Sequence, residues 1–152
     1  MSFSTHTFQT NPHGSHLGFA FHEDMNEGQK IYFLAKFNEG AKEPKMIAES
    51  IFGAIVDSFE HSYSSDPYDR FEEALKAANN EAKKLQAYFS GTPDILVAFF
   101  DFHTLYLSQC GASEAYLLRG ENMSQITEIP ENSGDLFVNI LNGKVIVEDS
   151  II

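Results

Sequence analysis

Two adjacent helical stripes in the middle of the chain, bracketed on both sides by segments of strand character, narrow most what this sequence can fold into. Ile47, Ile51, Ile55 and Phe59 fall four apart with Ala48, Phe52 and Val56 beside them, giving a helix from about Pro44 to Glu60 one wide apolar face. Phe71, Leu75, Ala78, Ala82, Leu85 and Phe89 recur at spacings of three and four, a narrower stripe on a helix from Pro67 to about Phe89. Glu72, Glu73, Lys76, Lys83 and Lys84 lie off that stripe. Asp66 before Pro67 marks the start, because its carboxylate can accept from free backbone N–H groups and proline has none to lose at the first helical position. The small Ala positions let the two helices approach closely, and the flanking segments supply the sheet on which both lie.

Before the helices, Phe3 to Phe8, Leu17 to Phe21 and Lys30 to Phe37 read as three strands. The stretch Thr10 to His16 between the first two is a loop by its turn chemistry, and His22 to Gln29 reads as a hairpin connection or short excursion. After the helices, Gly91-Thr92-Pro93 breaks the pattern, and Ile95 to Phe100, Thr104 to Gln109, Ala115 to Leu118 and Ser124 to Glu128 read as meandering antiparallel strands. Two more, Leu136 to Leu141 and Lys144 to Ile152, flank Asn142-Gly143, a hairpin signal. Strands, then helices, then strands, is an α+β order. At 152 residues, 43% of them apolar, the chain is long enough for one real core and too short for two ordinary domains, so residues 1–152 are expected to form a single domain.

Charge excludes some functions. Ten basic residues against 22 acidic ones give a formal charge of -12, a field that repels nucleic acid and anionic membrane faces, so neither is expected as a partner. No window approaches the ~20 apolar residues of a membrane span, and Met1 to His6 lacks the basic region and apolar run of a secretory signal. A cytoplasmic location is expected by default. The single Cys110 has no intrachain disulfide partner, and a packed small residue at a strand end fits it better than a nucleophile.

The residues that could carry chemistry have plain readings too. His13 and His16 make a His-x-x-His pair near His22, but a structural zinc site takes four ligands and no Cys pair accompanies them, so a solvated loop fits better. Glu23, Asp24 and Glu27 are either an acid-base or metal-ligand set or an acidic turn in water. Ser113 lacks the Gly-x-Ser-x-Gly elbow of a hydrolase nucleophile.

One stretch is more specific. Gly111-Ala112-Ser113-Glu114-Ala115-Tyr116-Leu117-Leu118-Arg119 resembles the Gly-Asp-Ser-Arg-Ala-Tyr-Leu-Leu-Arg element of the type 2C, metal-dependent (PPM-type) serine/threonine protein phosphatases, with the family's Asp and Arg replaced by Ala112 and Glu114. Gly91-Thr92 is similar to the family's Gly-Thr-Thr, Thr104 to Leu107 to the strand before that element, and Gln125-Ile126-Thr127-Glu128 to its Leu-Thr-Glu-Asp-His. Phe137 to Ile140, with Gly143 and Asp149, is similar to the segment leading toward a later metal aspartate. The likeness spans essentially the whole chain and about two thirds of a family domain, its N-terminal part. It implies a four-layer α-β-β-α sandwich of antiparallel sheets, present in part.

In that family two divalent cations held by carboxylates generate the nucleophile and clamp the phosphoryl oxygens. His22-Glu23-Asp24 resembles the acidic pair of the first motif, which puts the phosphate-binding Arg on Phe19; a phenyl ring cannot make the bidentate contact of a guanidinium. Leu34-Ala35-Lys36-Phe37-Asn38-Glu39-Gly40 resembles the second motif, with Lys36 at the metal-bridging Asp and Phe37 at a Gly whose carbonyl assists. A shift of one or two residues brings Glu39 near that position. Glu23, Asp24 and Glu39 are thus the residual metal-site candidates, and Phe19, Lys36, Phe37, Ala112 and Glu114 the degenerate positions. An ammonium at position 36 opposes cation binding, and Lys36 is expected to supply a fixed charge to Glu23 or Asp24 in place of the metal.

The resemblance therefore implies a domain that keeps the phosphatase fold, has lost the reaction, needs no cofactor, and binds a protein partner or regulates one. Two alternatives stand beside it. The first is an active Mg- or Mn-dependent phosphoprotein phosphatase with its remaining ligands beyond Ile152. The second is a structural subunit that self-associates through exposed strand edges.

Overall fold

In the computed structural model, residues 18–26, 28–102, 104–127 and 145–148 are described. In chain order the elements are β1 (Gly18–Asn26), β2 (Gln29–Lys36), α1 (Pro44–His61), α2 (Pro67–Lys84), β3 (Asp94–Asp101), β4 (Thr104–Cys110), β5 (Tyr116–Arg119), β6 (Asn122–Gln125) and β7 (Val145–Glu148). Five strands form one antiparallel sheet in the order β1-β2-β3-β4-β7, and β5 with β6 forms a separate two-stranded sheet. The expected segments Phe3 to Phe8 and Leu136 to Leu141, the His13/His16 pair and the Asn142-Gly143 turn lie outside the described residues.

Alternation places one face of the sheet under the helices. Ile31, Phe33 and Ala35 of β2 stand opposite Phe99, Val97 and Ile95 of β3, and all six are buried. Onto them pack Ile47, Ile51, Ile55 and Phe59 of α1 with Phe71, Leu75, Ala78 and Ala82 of α2, in one continuous core. Phe99 is the hinge of that packing, its ring 4.6 Å from Phe59 and 6.2 Å from Phe71. Removing each such large side chain from water contributes about 1.5 to 3 kcal/mol, and that burial holds the helices on the sheet.

The helix starts differ in kind. Asp66 caps α2, its carboxylate accepting from the backbone N–H groups of Tyr68 at 2.8 Å and Asp69 at 3.2 Å. At the head of α1, Glu43 sits in the left-handed region, φ 53° and ψ 47°, and no side chain caps the helix there. Between the helices Arg70 ties the layers together. Its guanidinium donates to the Phe59 carbonyl at 3.1 Å and to Gln29 at 3.4 Å, and Gln29 in turn donates to Asp101 at 2.6 Å.

Several boundaries differ from the sequence reading: β6 begins at Asn122 and ends at Gln125, where the pattern predicts Ser124 to Glu128, and two others shift further. The stretch from His22 to Asn26 is strand, because β1 continues its ladder with β2 as far as Asn26 through an irregularity between Asp24 and Asn26; the reversal is confined to the turn at Gly28, φ 80°. The second helix ends at Lys84, five residues short of Phe89. Its last turn tightens, with the Leu85 N–H shared between the Glu81 and Ala82 carbonyls, and a 3₁₀ turn follows at Gln86–Tyr88. Phe89, in extended conformation, still reaches the core from that new direction.

Candidate functional site at one end of the sheet

Strand register decides which candidate residues meet. Gly18 stands opposite Lys36, and Lys36 opposite Asp94, so the start of β1, the end of β2 and the start of β3 share one end of the sheet. The end of β4 joins them, since Cys110 stands opposite Ile95. Just past it, the Ala112 N–H donates to the Asp94 carboxylate at 2.7 Å. Phe19, Lys36, Phe37 and Ala112, four of the five degenerate positions, are therefore gathered here.

Their arrangement is apolar inside and charged at the rim. Phe19 and Phe37 meet with ring centroids 6.5 Å apart, and Phe37 meets Phe89 at 5.9 Å. Phe37 is 2% exposed, whereas Lys36, one residue earlier, is exposed. Two hydrogen bonds clasp the loops that follow β2 and precede β3: Asn38 Nδ2 to the Ser90 carbonyl at 3.2 Å, and the Lys42 N–H to the Tyr88 carbonyl at 2.7 Å. Gly91 passes so close to this clasp that a Cβ there would lie 2.7 Å from Asn38 Nδ2.

Glu23 and Asp24 belong to the other end of the β1-β2 ribbon. Asp24 stands opposite Lys30, six residues from Lys36 along β2, about 20 Å at the usual rise of a strand. The expected link from Lys36 to these carboxylates is therefore corrected: Lys30 Nζ lies 3.1 Å from Asp24 Oδ1, and that hydrogen bond raises the Lys30 pKa above its ordinary value. Consecutive strand residues project to opposite faces, so Glu23 and Asp24 are not poised to close on one ion. Glu39 is exposed in the turn after Phe37, at the Lys36 end. The structure thus separates the three residual carboxylates, and among the described residues no group of three or more His, Cys, Asp or Glu could hold a metal ion.

Hard divalent cations require several oxygen donors in one place. The Lys36 end offers an ammonium, aromatic rings, the exposed Glu39 carboxylate and the Asp94 carboxylate already engaged by the Ala112 amide, a set too poor in oxygen donors for the paired cations the resemblance implies. Glu114 accepts a 2.7 Å hydrogen bond from the Tyr116 hydroxyl, which raises the Tyr116 pKa. Cys110 is fully buried, and burial, then the nearby Asp94 carboxylate, pushes its thiol up to about 12, far from a nucleophile. Asp94 is the residue that sequence reasoning did not single out. It lies 18 residues from Ala112, and only the β3-β4 hairpin brings the two together.

No protein-family model matches the chain, and no curated protein matches it. Among solved structures it is similar to a stage II sporulation E family protein from Thermanaerovibrio acidaminovorans, with a TM-score of 0.52 and 17% identity over 84% of this chain and 70% of that one. At that identity the likeness concerns the fold. The fold is α+β, with antiparallel sheets and two helices, and is consistent with a partial type 2C phosphatase-like sandwich: one helical layer on one five-stranded sheet, with the β5-β6 hairpin apart. No helix among the described residues is long and apolar enough to cross a membrane.

Proposed function

We propose that this chain is a type 2C phosphatase-like domain that does not hydrolyse phosphate esters by metal catalysis and acts as a protein-binding or regulatory scaffold. The observation that carries this reading is the contact of Phe19 with Phe37 beside an exposed Lys36. The resemblance assigns Phe19 to phosphate binding, Lys36 to metal bridging and Phe37 to a glycine whose carbonyl assists, and here the two rings make an apolar contact beside an exposed cation. A ring pair offers no ligand to Mg²⁺ or Mn²⁺, and the ammonium repels both.

Turnover of an aryl phosphate and of a phosphopeptide with millimolar Mn²⁺ or Mg²⁺ tests it. Rates equal to buffer with metal are expected. Metal-dependent turnover abolished by a chelator overturns the reading in favour of an active phosphatase with further ligands beyond Ile152.

A second reading, self-association, has its own observation. Leu118 and Met123 stand opposite each other on β5 and β6, each 68% exposed, with Tyr116 half exposed nearby. An apolar cross-strand pair on a two-stranded sheet favours a further layer or a second copy over water. The mass in solution separates the two readings: a dimer at micromolar concentration supports self-association, and a monomer argues against it.

A further inference from the structure

We draw no further inference here: the strongest candidate, the face of the five-stranded sheet turned away from the helices, where the rings of His22, Tyr32 and Phe100 line up across β1, β2 and β3 beside the exposed Leu34, carries nothing, because nothing in the structure shows what covers it.

Discussion

The rings of Phe19 and Phe37 lie 6.5 Å apart with their planes inclined at 53°, an aromatic contact between the first strand and the residue just after the second. Phe19→Arg, which restores the residue the resemblance expects, breaks this contact and puts a guanidinium against the core. We expect it to cost about 2 kcal/mol in urea denaturation, and Phe19→Leu to cost under about 1.5 kcal/mol. Equal midpoints for the two variants would show that the ring contact does not matter.

Gly111 is held by geometry as well as by chain direction. It has φ 73°, and a Cβ there would collide with the Asp94 carboxylate and lie 2.8 Å from the Pro93 carbonyl. Gly111→Ala is therefore expected to destabilise by about 2 kcal/mol or more, while Ala112→Gly, one residue on, changes stability little. Chemical denaturation of the pair decides this.

Cys110 should ignore thiol reagents in the native state. With the thiol pushed up to about 12 by burial and by Asp94, almost no thiolate exists at pH 8. Labelling is expected only after unfolding, so its rate in dilute denaturant reports the opening of β4. Rapid labelling of the native chain at pH 8 contradicts this placement.

Asp66→Ala removes both acceptor contacts at the start of α2 and should cost about 1 kcal/mol, with Asp66→Asn largely sparing the helix. Helix content followed by far-UV circular dichroism during denaturation distinguishes the two.

His61 gives a pH signature. Its ring Nδ1 lies 2.9 Å from the Asp57 carbonyl and 3.2 Å from the Asp57 carboxylate, and the backbone contact first, then the carboxylate charge, raises its pKa above the ordinary value. A raised folded pKa means the folded state binds the proton more tightly. Its stabilising contribution is full below the unfolded pKa, about pH 6.5, and is lost as pH rises through the folded value. Wild type and His61→Ala should differ more in stability at pH 5.5 than at pH 8, and a difference independent of pH rules the pairing out.

The helices were legible because an apolar stripe with a 3.6 period survives without knowledge of its partner. Ile47 to Phe59 and Phe71 to Ala82 are the buried faces the spacing predicts, and Asp66 is the cap its place before Pro67 predicts. Strand identity was also legible, from alternation. The strand from His22 to Asn26 was not, because His, Glu, Asp and Asn carry no strand propensity and their ladder is dictated by the partner strand.

By itself the sequence determined the order of the described elements and the inward faces of the helices and strands, and by resemblance alone it offered Phe19, Lys36, Phe37, Ala112 and Glu114 as candidate positions. The tertiary structure alone decided which of them are neighbours. Alternation says which face a side chain takes, yet the register of two strands is set by turns and by cross-strand packing, which no single strand contains. The same ladder that places Lys36 beside Gly18 and Asp94 places Asp24 beside Lys30. It thereby separates carboxylates that looked like one ligand set, and it gathers the phenyl rings into one cluster.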